Sequence, residues 1–415
     1  MNIIKIPNNL YNYYQLKECI LYLANISSIN YVILNTSDEL ALDEINKLYN
    51  KYSGNIHIIL PIYIHYHSIH QLCRKNIDYN YLKQNKDFNP RKEEYLLNDI
   101  DMFLITKRNA KVLFLNSWET TDIYSHKKQI ESVFKDKFNI PVNNLFISVT
   151  DYKNYNKLNE NVILNYDWQY ILTKNKFSNM NEKEFNNIML HYNKKKYYRI
   201  ISLCRRPNCE RFIYCCYLFT HYNSKTIFSF LGNFEKGIKC IKSIKNSLQL
   251  PQINKFISNC PFILDKRDKT YGNNIGNLKG TLDDYLDKSY IRVIFETNSQ
   301  PIKSKSEQIS EKTYIGLKSG HPFILFTTKG GIMKFLKNAH GFKTFHPYIN
   351  EEYDNENLSY KNRYELLLKE TERICNLSDE EMNILYQQMK QIVEYNLNVL
   401  REKKVDYNIL DKILY

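Results

Sequence analysis

The stretch that decides the fold is YIRVIFETNSQ at residues 290–300, followed by SEKTYIGLKSGHPFILFTTKGGIMKFLKNAHGFKTFHPYINEEYD at residues 310–354. The apolar run in its first part predicts a strand that ends at the carboxylate of Glu296. Its second part begins with a short helical pattern that opens at Glu311 and Lys312, and an apolar strand follows. Strands and helices that alternate in this way predict an α/β fold with a parallel sheet.

The turns in this stretch predict a ligand-binding edge. Gly320 closes the first helical pattern, an apolar strand at 322–326 follows, and Lys329-Gly330-Gly331 leads into a second helix. Units of this kind place polar side chains and helix N-termini along one edge of a parallel sheet, where phosphate-bearing ligands bind. We therefore expect the function of the chain to lie at that edge.

The length of 415 residues exceeds what one hydrophobic core usually supports, so two domains are predicted. In the first third of the chain, short apolar runs alternate with helical patterns, which predicts a second sheet of Rossmann type. These runs lie at residues 31–35, 55–67, 111–116 and 144–150. Pro61 is expected to break the second run, because proline cannot donate to a central ladder. The predicted limits are 1–180 and 181–378 for the two domains, with a C-terminal helix in 379–415.

Two segments have weaker patterns. Residues 163–198 are polar and charged and are predicted to form a connector or an edge region, with a helix near residues 181–192. Residues 221–290 give no clear periodicity and contain a glycine- and asparagine-rich loop at 272–280. No internal repeats are present.

The net charge of +14 suggests an anionic partner such as a nucleotide, a nucleic acid or an acidic surface. A lysine-rich surface that keeps the protein soluble would give the same charge. The basic residues are scattered and form no run of five or more, which argues against a dedicated nucleic-acid module. A non-enzymatic nucleic-acid-binding protein nevertheless stays an alternative, with DNA as its partner.

Nine cysteines occur without any CxxC spacing, and most lie in apolar runs. This usage is typical of reduced, buried thiols, so we expect a cytoplasmic protein without structural zinc. The N-terminus lacks the apolar core of a signal peptide, and no window approaches about 18 uninterrupted apolar residues. We therefore expect no membrane span.

Three groups of residues in the first half are candidates for chemistry. His65, His67 and His70 have spacings that suit a metal site, but a half-exposed strand with polar tips explains them better. The Asp99-Ile100-Asp101 motif matches the pattern with which some sugar transferases hold a divalent cation, which gives a metal-dependent alternative. Glu119 follows a predicted strand end, where it is a candidate acid or base or else a helix-capping carboxylate.

A further candidate lies at the start of the second half. A strand at 198–204 delivers Arg205 and Arg206 next to a helix that begins near Asn208. Guanidinium groups and the backbone amides of a helix N-terminus both select phosphate oxygens, so the pair predicts an anion site. Arginines on a solvated turn are the alternative.

Two segments of the second half resemble a known group of proteins. KYYRIISLCRRPNCERFIYCCYL at 196–218 resembles the segment that opens the C-terminal domain in glycosyltransferase-like proteins of viruses, phages and bacteria. ISEKTYIGLKSGHPFIL at 309–325, with GFKTF, NEEYD and Arg363 after it, resembles the second signature of that group. The Ser310-Glu311-Lys312 core also resembles the donor-binding segment of α1,3-fucosyltransferases, which have the GT-B architecture.

This resemblance implies two Rossmann-like domains that face a cleft, as in GT-B enzymes. It implies an acceptor-side first domain, a second domain that binds a nucleotide sugar, and a C-terminal helix that packs back toward the first domain. The expected activity is metal-independent transfer of a sugar from a nucleotide-sugar donor, with no other cofactor. The acceptor is open and includes a glycan, a protein or a modified base in DNA.

The chemistry assigns roles to the candidate residues. Arg205, Arg206 and Lys312 would offset the charge that grows on the leaving diphosphate, in place of a metal. Glu296 or Glu311 would accept hydrogen bonds from ribose or sugar hydroxyls. The remaining predicted site residues are Ser310 at the donor and Glu119 as the catalytic acid or base.

Overall fold

The computed structural model of the chain describes the strands of residues 3–165 and, beyond them, residues 177, 180–204, 208–230, 250–260, 262, 285–296 and 309–402. The chain divides into two compact units. The first comprises Met1–Leu172, Ser304–Gln308 and Val405–Tyr415, and the second comprises Thr173–Lys303 and Ile309–Lys404. The strands of each unit form one parallel sheet, which confirms the predicted α/β class. The predicted domain limits and the two domains facing a cleft stay predictions.

Six parallel strands of the first unit are described, in the order β1-β2-β3-β4-β5-β6. They are β1 (Ile3–Ile4), β2 (Tyr31–Ile33), β3 (His57–Tyr63), β4 (Lys111–Leu115), β5 (Leu145–Val149) and β6 (Ile163–Asn165). The four predicted runs correspond to β2, β3, β4 and β5. Strand β6 stands at the end of the order, in the segment that the sequence assigns to a connector or an edge.

The expected break at Pro61 is wrong, because β3 runs through this proline and pairs it with Leu113 of β4. The pairing on the other side of β3 explains why proline is tolerated. Strand β2 pairs with residues 57–59 only, so the described ladder on that side ends before Pro61. A proline is compatible with a strand where one side needs no donor.

Among the residues of the second unit that the structure describes, four parallel strands lie in the order β10-β9-β7-β8. They are β7 (Tyr198–Cys204), β8 (Thr226–Phe230), β9 (Ser289–Phe295) and β10 (Phe323–Phe326). The chain passes from β7 outward to β8, returns to the other side of β7 as β9, and continues outward to β10. The direction of winding therefore reverses between β7 and β9. Such a reversal is the topological switch point at which open parallel sheets bind ligands.

Seven α-helices are described in the second unit. They are α1 (Glu182–Met189), α2 (Cys209–His221), α3 (Leu250–Asn259), α4 (Glu311–Lys318), α5 (Ile332–Phe335), α6 (Tyr360–Asn376) and α7 (Asp379–Glu402). Asn208 and Ser310 cap α2 and α4 through their side chains. Ser378 and Glu381 form the predicted reciprocal capping box at α7. Helix α7 belongs to the second unit, and its packing toward the first domain stays a prediction.

Helices α2 and α4 cover opposite faces of the second sheet. Tyr214 of α2 packs on Phe295, with ring centroids 5.0 Å apart. Gly316 of α4 lies against Ile294, so closely that a Cβ at this glycine would stand 2.5 Å from the Ile294 Cδ1. Because successive strand residues point to opposite faces, Ile294 and Phe295 place the two helices on the two sides of β9. This arrangement is the one that opens a crevice at a switch point.

The cysteines of the described part fit the expectation from the sequence in most positions. Cys204, Cys215, Cys216 and Cys375 are buried free thiols. Cys209, the first residue of α2, is instead disulfide-bonded. None of the helices in the described part of the chain combines the length and the apolar character that a membrane span needs.

Candidate functional site

The candidate site lies at the carboxyl ends of β7 and β9. Strand β7 ends at Cys204 and is followed by α2, while β9 ends at Phe295 and leads, through Glu296, toward α4. A parallel sheet brings both strand ends to one edge, and the two helices start there on opposite faces. The backbone amides of a helix N-terminus attract anions, so this crevice favours a ligand with negative charge.

Glu296 fixes the start of α4 to the end of β9. Its side chain is only 2% exposed. The carboxylate accepts a hydrogen bond from the backbone amide of Ser310 at 3.2 Å and another from the Ser310 hydroxyl. The hydroxyl of Thr313, which is also buried, donates to the second carboxylate oxygen. Glu296 therefore holds the first turn of α4 in place, which would position whatever that turn presents.

Lys312 brings a positive charge to this turn. Its backbone amide donates to the Ser310 Oγ at 3.3 Å, and its Nζ lies 3.4 Å from the same oxygen. The side chain is half-buried. A lysine in the first turn opposes the helix dipole, which places positive partial charge at the N-terminus. Lys312 is therefore unfavourable for the stability of the helix. A phosphate group bound at this point would be attracted both by the ammonium and by the helix N-terminus.

Arg211 connects the two sides of the switch point. It lies in the first turn of α2, is 5% exposed, and donates through Nη2 to the carbonyl oxygens of Phe295 at 2.8 Å and Glu296 at 3.1 Å. Its guanidinium thus adds a second positive charge beneath the crevice and ties α2 to the end of β9. The sequence did not indicate Arg211, because an arginine in a helical pattern is typical of an ordinary surface residue.

The loop after β10 is built around Arg363, which is fully buried. The guanidinium donates to the carbonyl oxygens of Thr327, Thr328 and Tyr353 at 2.8, 2.7 and 2.7 Å. Gly330 in this loop has a φ of 73°, and a Cβ there would stand 2.5 Å from the carbonyl oxygen of Asp354. The shape of the loop therefore requires glycine at position 330.

The acidic turn at Glu351–Asp354 is only partly solvated. Asp354 is buried, and its Oδ2 accepts from the backbone amide of Met333 at 2.8 Å, in the first turn of α5. Burial raises the pKa of Asp354 to about 7, although the Met333 amide and the nearby Arg363 oppose the rise. Glu351 accepts from the Phe345 amide at 2.8 Å. Asp354 therefore links this turn to the start of α5, and Glu351 links it to the backbone at Phe345.

The structure brings together three of the predicted site residues, namely Glu296, Ser310 and Lys312. Glu311 is the first residue of α4, as predicted, but its side chain lies outside the described part of the chain. The other candidates also lie outside the described residues, and their roles stay predictions. They are His65, His67, His70, Asp99, Asp101, Glu119, Arg205 and Arg206.

Thr313, Arg211 and Arg363 complete the site but were not singled out as site residues from the sequence. Thr313 could have been recognised from its spacing, because a hydroxyl three residues after a helix-capping serine faces the same side of the helix. Within the described ranges, no group of three or more histidine, cysteine, aspartate or glutamate side chains is placed to hold a metal ion.

No family model and no curated protein matches the chain. A solved structure described as trehalose-6-phosphate from E. coli bound with UDP-2-fluoro glucose aligns over 94% of this chain and 99% of its own, with 10% identity and a TM-score of 0.36. An α,α-trehalose 6-phosphate synthase from Burkholderia multivorans aligns over 98% and 83%, with 11% identity and a TM-score of 0.33. Similarities of this size establish neither a shared fold nor a shared activity.

Proposed function

We propose that the chain is a glycosyltransferase that binds the diphosphate of a nucleotide-sugar donor at the switch point between β7 and β9. The observation that carries the proposal is the convergence of Lys312, Ser310 and the first turn of α4 on that crevice, fixed by the buried Glu296. A switch point with a cation and helix amides on one side suits a phosphate-bearing ligand.

Lys312 acts on the leaving diphosphate in this proposal. When the bond between the sugar and the diphosphate breaks, negative charge grows on the phosphate oxygens. An ammonium already held beside Ser310 stabilises that charge without further reorganisation. Arg205 and Arg206, which follow β7 directly in the sequence, would supply guanidinium groups to the same diphosphate.

Glu296 takes a positioning role, because its carboxylate is engaged by Ser310 and Thr313. The acceptor of donor hydroxyl groups is then Glu311, the first residue of α4. Glu119, in the first unit, is the proposed acid or base toward the acceptor. The transfer is metal-independent in this proposal, because cations of the chain offset the diphosphate charge.

Calorimetric titration of the full chain with UDP, GDP, ADP and CDP in the presence of EDTA tests the proposal. At least one nucleoside diphosphate should bind, and Lys312→Ala should weaken the binding. Lys318→Ala, at the opposite end of the same helix, is the matched control and should bind as the unmodified chain does. A folded protein that binds none of the four would contradict the proposal, and binding abolished by EDTA would favour the metal-dependent alternative at Asp99 and Asp101.

A further inference from the structure

Two free thiols meet where β7 ends. Cys204 is the last residue of β7, and Cys215 lies in α2. The two thiol groups are hydrogen-bonded to each other, and both are buried. The sulfur atoms of a disulfide lie about 2 Å apart, so a pair in hydrogen-bonding contact is close to the arrangement that oxidation needs.

The surroundings of Cys204 favour its thiolate. Its Sγ lies 3.3 Å from the Ser202 Oγ, and both side chains leave the same face of β7. The guanidinium of Arg211, one turn before Cys215 on α2, attracts the negative charge of the thiolate. Burial opposes ionisation, but the Cys215 thiol and these two groups outweigh it, so the pKa of Cys204 lies below its usual value.

The surroundings of Cys215 have the opposite effect. Burial raises the pKa of Cys215, and the hydrogen bond and the charge interaction with Cys204 raise it further. One sulfur atom of the pair is therefore prepared to act as a nucleophile, while the other keeps its proton. Cysteines that react with oxidants are arranged in this way, since a thiolate reacts first and a neighbouring thiol resolves the product.

We infer that Cys204 and Cys215 are a peroxide-sensitive pair that oxidises to a disulfide and thereby cross-links the end of β7 to α2. The Cys204 thiolate attacks one oxygen of the peroxide, the O–O bond breaks, and the hydroxide that leaves takes up a proton to give water. The Cys215 thiol then attacks the sulfur of the sulfenic acid, the S–O bond breaks, and a second water leaves with the Cys215 proton. Two thiols and one peroxide thus give one disulfide and two waters.

Burial of the pair selects the oxidant. Hydrogen peroxide is small enough to reach the Cys204 sulfur through local fluctuations of the packing, whereas a bulky thiol reagent is not. The pair also adjoins the contact that ties α2 to β9, because Arg211 donates to the carbonyl oxygens of Phe295 and Glu296. Oxidation removes the thiolate beside this guanidinium, whether or not the crevice binds a nucleotide.

Peptide mapping of the full chain after treatment with excess hydrogen peroxide tests this inference. The remaining thiols are blocked with N-ethylmaleimide in denaturant, and the chain is digested with trypsin without reduction. Peptides 200–205 and 212–225, which contain Cys204 and Cys215, should be joined, and dithiothreitol should separate them. The second peptide also contains Cys216, so variants decide which of its thiols is joined.

Cys216→Ser is the matched control, because Cys216 is a buried free thiol of the same helix and burial raises its pKa to about 12. This variant should keep the cross-link. Cys215→Ser should lose the cross-link, and dimedone should then label Cys204 as a sulfenic acid. Should Cys215→Ser fail to fold, Cys215→Ala replaces it with the same expected result.

A cross-link that persists in the Cys215 variants would overturn the inference, because the partner of Cys204 would then be another thiol. A Cys204 that dimedone does not label in these variants would overturn it as well, since the first step would then not occur at this sulfur. The same conclusion would follow if the folded, unmodified chain gave no cross-link in excess peroxide.

Discussion

The replacement Lys312→Ala removes the positive charge that the structure places in the first turn of α4 beside Ser310. The change leaves the Glu296 contacts to Ser310 and Thr313 in place, because they do not involve the Lys312 side chain. Alanine has the highest helix propensity, so the helix should persist. The variant therefore tests electrostatics at the site with little disturbance of the fold.

The size of the effect follows from the position of the Nζ, which is half-buried and 3.4 Å from the Ser310 Oγ. Two unit charges about 4 Å apart interact by about 4 kcal/mol at an effective dielectric of about 20. If about half a charge develops on the leaving group, about 2 kcal/mol is at stake, which corresponds to about thirtyfold in rate. Partial exposure reduces this value, so we expect a loss of at least about tenfold.

The assay is steady-state transfer, or donor hydrolysis, with the nucleotide sugar identified by calorimetry. Because the charge develops during the reaction, kcat should fall more than donor affinity. Lys318→Ala should retain kcat within about twofold, because Lys318 lies six residues further along the same helix, about 9 Å from the turn that holds Lys312. An unchanged kcat for Lys312→Ala at saturating donor would refute the reasoning and remove Lys312 from the site.

Three other predictions concern stability. Thr313→Val should lower the free energy of unfolding by about 1–3 kcal/mol, because the buried Glu296 loses a hydrogen-bond donor, whereas Thr313→Ser should lower it by less. Equal urea midpoints for Thr313→Val and the unmodified chain would contradict this prediction. Gly330→Ala should cost about 1–3 kcal/mol in the same measurement, because φ is 73° and the Cβ meets the Asp354 carbonyl; a neutral effect would show that the loop can relax. Burial lowers the pKa of His191 from 6.5 to about 4, so the unfolded chain takes up this proton at a higher pH than the folded chain. The free energy of unfolding should therefore fall by about 3 kcal/mol as the pH drops from 6.5 to 4. His191→Gln should flatten this dependence, and the same pH profile in both proteins would contradict the prediction.

Much of the secondary structure of the second unit could be predicted because it depends on local chemistry. β7 coincides with its apolar run, and α4 begins at Glu311 after the cap Ser310, as the pattern indicates. β8 was missed because TIFSF is a five-residue run in a segment without clear periodicity. α3 was missed as well, since Pro251 obscures a helix that tolerates proline in its first turn.

The order of the strands could not be predicted, and with it the composition of the site. Strand β9 pairs with β7 rather than with β8, and this pairing is set by tertiary packing. The sequence of neither strand indicates it. Only this pairing makes the end of β9 a switch point and brings Arg211 to the carbonyl oxygens of Phe295 and Glu296. The sequence therefore indicates the edge of the sheet but not the partners that meet there.

Amide hydrogen exchange with a saturating nucleoside diphosphate tests the central claim most directly. The nucleotide should slow exchange in the first turn of α4, at residues 310–313, and at the start of α2, at residues 209–212, because the proposed diphosphate site lies between these helix ends. The second half of α7, at residues 391–402, serves as the internal reference and should not change. A nucleotide that binds and protects other segments while leaving both helix starts unchanged would contradict the placement of the donor at the β7–β9 switch point.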